Sequence, residues 1–212
     1  MKVGIKFVVL LLSLPIVAYA LLAYGFQPLG GNVHPEMMAV YEDHRLWIYL
    51  HIFASSLALL LGPVQFFTAL RLRWPHLHRW VGRFYLFAGV LIGGIAGLHM
   101  SALAFGGLMA KLGFAGLAIA WLFTGFKAYQ AIRSGQVLQH QQWMLRNFAL
   151  TFAAVTLRLQ IPIALVALEV SFETAYPFIA WLCWLPNIVL MESYLGYLRY
   201  QNHRNDSQPV SG

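Results

Sequence analysis

Six runs of predominantly apolar residues, at about 5–25, 46–70, 81–104, 109–130, 145–168 and 176–198, occupy most of this chain. About 20 helical residues cross the hydrocarbon core of a bilayer. Inside that core every backbone N–H and C=O must be bonded within the protein, which only helices and closed barrels achieve. Runs this long without period-two alternation predict an all-α polytopic membrane protein, a bundle of six transmembrane helices. The spans and short loops consume nearly all of the 212 residues, so residues 1–200 read as one transmembrane domain. The polar end at 201–212 reads as a disordered cytoplasmic tail. Only 10% of the residues are charged, against about a quarter in a soluble domain, and a lipid solvent explains the shortfall.

The direction of threading comes from the Lys and Arg, which collect on the cytoplasmic side of membrane proteins. With the N-terminus inside, eleven of the 14 fall at inner ends and loops: Lys2, Lys6, Arg71, Arg73, Arg79, Arg83, Lys127, Arg133, Arg146, Arg199 and Arg204. Only Arg45 and Lys111 fall outside, and Arg158 lies within the fifth run. The acids Glu36, Glu42, Asp43, Glu169 and Glu173 all fall on the other side. The expected location is a bacterial inner membrane, crossed several times, with the C-terminus in the cytoplasm. Ala18-Tyr19-Ala20 resembles a signal-peptide cleavage site behind Lys2 and Lys6, but the apolar run continues through Leu21, Leu22 and Tyr24, which favours a retained helix.

The net charge of +7 follows this topology instead of forming a patch, so nucleic acid is not an expected partner; the lipid bilayer is. Cys183 is the single cysteine, which excludes an intrachain disulfide and a Cys-rich metal site. No nucleotide-binding loop, Ser/His/Asp triad or zinc-protease motif is present.

Membrane helices hide small and polar residues from lipid, so their spacing marks the inward faces. The second run carries His51, Ser55, Ala58, Gly62 and Gln65 at helical intervals, and the third carries Gly82, Gly89, Gly93 and Gly97. The fifth carries His140, Met144, Asn147, Thr151, Ala154 and Arg158. Ionisable groups inside the runs need partners. Arg158 therefore calls for a buried acid, with Glu192 of the sixth run the nearest candidate, or for an anionic ligand.

The histidines fall at two levels. His51 and His99 each lie about five residues inside the outer ends of neighbouring antiparallel runs, and His78 and His140 precede the third and fifth runs at the inner side. Two imidazoles at one depth suit axial ligation of haem iron between helices. His78 and His99 are 21 residues apart, about 31 Å along a helix, so they would belong to two different haems. At the inner level Arg79, Arg83 and Arg146 stand where they would pair with haem propionates. The candidate cofactor is haem b. Residence among lipid headgroups explains His78 and His140 equally well.

Gly62-Pro63-Val64-Gln65-Phe66, His78-Arg79-Trp80-Val81-Gly82-Arg83-Phe84-Tyr85, His140-Gln141-Gln142-Trp143-Met144-Leu145-Arg146 and Thr156-Leu157-Arg158 together resemble the signature blocks of a family of predicted bacterial membrane proteins, domain of unknown function 2306. The resemblance covers roughly residues 46–165 and implies a multi-span inner-membrane protein without an assigned activity. It places His78, Arg79, Arg83, His140, Arg146 and Arg158 inside the blocks and His99 outside them. The architecture is also similar to six-helix, two-haem b-type cytochromes, whose histidines are distributed differently over the central helices. Three readings follow. One is a haem protein that carries electrons or assists a respiratory oxidase, with a redox partner in the membrane. Another is a non-haem transporter, proton relay or anionic-lipid-binding protein working through the cytoplasmic His/Arg cluster. The third is an assembly partner without a ligand.

Overall fold

The structure, a computed structural model, describes residues 3–29 and 35–206. Lys2, His34 and the tail beyond Asp206 lie outside the described residues, as does the side chain of Glu36. The chain forms α1 (Gly4–Gly25), α2 (Pro35–Asp43), α3 (Arg45–Gln65), α4 (Thr68–Arg73), α5 (Pro75–Ala102), α6 (Gly107–Arg133), α7 (Val137–Ala167) and α8 (Phe172–Gln201). All but α2 and α4 are long and apolar enough to cross a membrane, and no strand occurs among the described residues. The fold is an all-helical six-span bundle. Helical structure continues past Gln201 to Asp206.

Successive spans run antiparallel. One end of the bundle gathers Lys6, Arg71, Arg83, Arg133 and Arg199, and is called here the basic end; the other carries Glu42, Asp43, Glu169 and Glu173, and is called the acidic end. Large apolar side chains such as Leu11, Phe123 and Val166 point outward. In a lipid-facing protein that is the low-energy arrangement, because burying them gains nothing over the acyl chains.

The inward stripes of α3 and α5 meet face to face. A Cβ on Gly97 would lie 2.9 Å from the His51 ring, one on Gly93 3.0 Å from Ser55 Oγ, and one on Gly89 2.8 Å from Ala58 Cβ. These glycines are thus the condition for the close approach of the two helices.

Several departures from the expected spans have local causes. The second span ends at Gln65 instead of about 70, because Pro63 cannot continue the ladder and Phe67 turns extended. Lys6 of α1 donates to the freed Phe66 carbonyl at 2.5 Å. α5 begins at Pro75, ahead of the expected 81, and contains a π-helical stretch, Phe84–Leu91. In α8 Pro186 has no N–H for the Leu182 carbonyl four residues earlier, and Gln160 Nε2 of α7 supplies the bond at 3.0 Å. A freed carbonyl inside the membrane is satisfied by a neighbouring helix.

The centre is held by one polar network. Tyr85 donates to Asn147 Oδ1 at 2.7 Å and lies 2.9 Å from Thr151 Oγ1. Asn147 Nδ2 donates to the Trp121 carbonyl and to Thr124 Oγ1, while Trp121 Nε1 donates to Thr151 Oγ1 at 2.8 Å. Each of these polar groups has partners, so the network joins α5, α6 and α7 at modest cost.

Candidate functional site

Above this network, in the acidic half, a cavity of about 310 Å³ opens among α1, α2, α3, α5, α6, α7 and α8. Small residues contribute to its lining: Gly93 and Gly97 of α5, Ala118 of α6, Ala153 and Ala154 of α7. Ile48, Ile52, Phe114, Leu117, Leu150 and Leu157 make the wall mostly apolar, the usual make-up of a small-molecule site of this size.

Two polar poles face this space. The first is Arg158. Its guanidinium donates to the Ala154 carbonyl at 3.1 Å and lies 5.7 Å from the ring centre of Tyr19. It has no carboxylate partner among the described residues. The expected one, Glu192, is bound instead by Arg146, through Nε at 2.5 Å and a second nitrogen at 2.9 Å. Tyr24, Tyr41 and Tyr176 line the cavity within electrostatic reach of Arg158. The Tyr24 and Tyr41 hydroxyls are hydrogen-bonded to each other. Burial, chiefly, raises the Tyr41 phenol above its ordinary range, so it remains a donor.

The second pole is on α3. His51 Nδ1 lies 2.9 Å from the Gly93 carbonyl. A carbonyl can only accept, so Nδ1 carries the proton and Nε2 is left as an acceptor. One helical turn on, Ser55 Oγ is buried without a hydrogen-bond partner.

The remaining candidates are distributed otherwise. His99 does not share the level of His51. Its ring stacks on Trp47 with centroids 4.5 Å apart, and its Nε2 lies 3.4 Å from His44 Nδ1, about two turns of α3 further toward the acidic end. At the basic end, His140 Nδ1 is bonded to the Ala128 carbonyl at 2.8 Å. His78 lies within electrostatic reach of Arg71 and His140, and its own Nδ1 is buried without a partner. Arg79 and Arg83 are exposed, the latter 4.8 Å over Trp80. Arg146, besides holding Glu192, lies 4.7 Å over Trp143. The structure therefore divides the eight candidates: His51 and Arg158 face the cavity, His99 stands against Trp47 and His44 at the acidic end, and His78, Arg79, Arg83, His140 and Arg146 stay at the opposite end.

Residues 48–195 match the family of predicted membrane proteins designated DUF2306. The chain belongs to this family. No curated protein and no solved structure matches it. The family segment supplies both poles of the cavity, His51 with Ser55 and Arg158, whereas Tyr24, Met37, Val40, Tyr41 and His44 lie before it.

Those five residues carry no signal in the spacing of the spans. Met37, Val40, Tyr41 and His44 recur at helical intervals within a segment read as loop, and that amphipathic spacing is the mark that a short helix covers the cavity.

The fit of haem is decided by the imidazoles. The cavity presents His51, with His44 at its rim, and His44 is bonded to the His99 ring that Trp47 stacks upon. His51 Nδ1 is bonded to the Gly93 carbonyl and the His99 ring is stacked on Trp47, so the two imidazoles do not face each other across this space. No three of His, Cys, Asp and Glu come together as a metal site among the described residues.

Proposed function

We propose that this membrane protein binds a small amphipathic anion in the cavity of its acidic half, with Arg158 as the counter-charge. One observation carries the reading: a guanidinium faces an apolar cavity and has no carboxylate partner among the described residues. A cation at this depth costs several kcal/mol unless paired, and a carboxylate matches the guanidinium fork in two parallel hydrogen bonds. The alternation of charge along the chain supports a cytoplasmic basic end and C-terminus in an inner membrane, which puts the cavity in the exterior half. Binding at such a site suits a receptor, carrier or scavenger.

The test is a thermal melt of the purified protein in detergent with phenylpropanoate as probe. The wild type is expected to melt at higher temperature with the acid and to ignore phenylpropanol. Arg158→Gln should weaken the acid about ten- to a hundredfold, the loss of a charge-assisted pair. Undiminished binding by Arg158→Gln would sink the proposal.

A second reading concerns the basic end. Arg71, Arg73, His76 and Arg79 are exposed around the bend between α4 and α5, with Trp74 and Trp80 beside them. This grouping suits phosphate-bearing lipid headgroups. Native mass spectrometry in mixed micelles should show retention of phosphatidylglycerol over phosphatidylcholine, and equal retention would discount it.

A further inference from the structure

We infer that the ligand of the cavity is a hydroxylated carboxylate, held by its anion at Arg158 and by its hydroxyl between Ser55 and His51. The inference rests on the amphipathic-anion reading and names the chemical class it leaves open.

The second pole decides it. A simple fatty acid satisfies Arg158 but leaves the α3 pole against its tail. There Ser55 Oγ is already buried with no partner, a condition that costs about 1–3 kcal/mol while it lasts. His51 and Ser55 are four residues apart on one face of α3, and both abut Gly93: His51 through the 2.9 Å bond to its carbonyl, Ser55 where a Cβ would come within 3.0 Å of Oγ. They therefore act at one place.

Their chemistry is complementary. Ser55 has a hydrogen to donate, and His51 Nε2, with Nδ1 committed to Gly93, can only accept. A ligand carbonyl would meet Ser55 and leave His51 unmet. An ammonium, a donor only, would donate to both His51 Nε2 and Ser55 Oγ but leave the Ser55 hydrogen without an acceptor. A hydroxyl accepts from Ser55 and donates to His51 at once. His51, Ser55 and Arg158 line the same cavity, so one molecule filling it meets both poles.

Size narrows the class further. At about 310 Å³ the cavity stands at the small end of the roughly 300–1,000 Å³ typical of small-molecule sites, which suits a compact ligand. The wall also includes Phe114, Leu117, Trp121 and Leu150, which suits an aryl or short alkyl body. Aromatic or medium-chain hydroxy acids meet all of these conditions.

Calorimetric titration of the full-length protein in detergent, with para-hydroxyphenylpropanoate, phenylpropanoate and para-hydroxyphenylpropanol, separates the possibilities. The hydroxy acid should bind about tenfold more tightly than phenylpropanoate, the worth of one or two net hydrogen bonds. The alcohol should bind at least tenfold more weakly than the hydroxy acid. In Ser55→Ala, which removes one oxygen atom and no packing contact with lipid, the preference for the hydroxy acid should fall to threefold or less. His51→Phe, a ring without the acceptor, should reduce it likewise.

Equal affinity for the two acids in the wild type overturns the hydroxyl assignment and leaves the anion reading standing. A preference that survives both variants also overturns it, since the hydroxyl is then read elsewhere. Failure of both acids to bind overturns both readings together.

Discussion

Arg146 grips Glu192 with two parallel hydrogen bonds, Nε to Oε1 at 2.5 Å and a second nitrogen to Oε2 at 2.9 Å, and in doing so leaves Arg158 to the cavity. The Glu192 side chain is 45% exposed. The pair therefore contributes at most about 1 kcal/mol, and its effect is to hold α8 in register on α7. Glu192→Gln should lower the melting temperature by a few degrees at most and leave phenylpropanoate affinity unchanged. Calorimetric titration of that variant beside Arg158→Gln checks the separation, and a loss in Glu192→Gln as large as that in Arg158→Gln would show the two arginines to be one system.

Asn147 holds the central network to a different standard. It is fully buried, accepts from Tyr85, and donates to the Trp121 carbonyl and to Thr124. Side-chain hydrogen bonds between membrane helices average about 0.6 kcal/mol, with a maximum near 1.7. Asn147→Leu breaks three and strands their partners, so a loss of about 1–3 kcal/mol is expected. Tyr85→Phe should cost about 0.6 kcal/mol. Reversible unfolding of both variants in micelles measures the difference, and equal costs would place the weight on Tyr85 packing instead.

The sequence carried the seams but not the pairings across them. Glycines at intervals of four in α5 and small or polar residues at intervals of three and four in α3 had to face inward, and they face each other. The stripe ending in Arg158 likewise turned inward as its spacing required. Glu192 went to Arg146 because of an antiparallel register that no single helix encodes. Gln160 meets Leu182 and Asn187 meets Thr156, and continuing that register carries Glu192 past Arg158 toward the basic end. The level of His99 escaped for the same reason. Counting residues from an assumed span end gave it the depth of His51, whereas the contact of Gly97 with His51 carries His99 further outward, to Trp47. The cavity itself was not legible, since a void is made by several small residues on different helices at once.

The approach of α6 to α8 gives a graded test of glycine packing. A Cβ on Gly113 would lie 2.9 Å from the Ala180 carbonyl oxygen, a backbone atom with no rotamer by which to retreat. One on Gly116 would lie 3.3 Å from the Trp184 ring, and one on Gly4 would meet nothing within 4 Å. Gly113→Ala should therefore cost about 1–3 kcal/mol, the usual range for overpacking. Gly116→Ala should cost less, and Gly4→Ala should be neutral or slightly stabilising through helix propensity. Thermal melts of the three variants in one detergent give the order directly, and a neutral Gly113→Ala would mean that α6 and α8 separate readily.

His99 closes the acidic rim by stacking on Trp47 and bonding to His44. In that arrangement it is a packing residue, and the space beside it holds no opposed imidazole among the described residues. His99→Phe keeps the stack and loses only the 3.4 Å contact with His44, so its melting temperature should stay within a few degrees of the wild type. His99→Ala removes both contacts and should fall further, by about 1–2 kcal/mol for a lost aromatic pair and its buried area. With His99 a packing residue, His99→Ala is expected to leave the Soret region of protein expressed in haem-replete cells unchanged. A band in the wild type that His99→Ala shifts or removes would return this histidine to haem ligation, with a rearrangement of α3 against α5 to free its ring from Trp47.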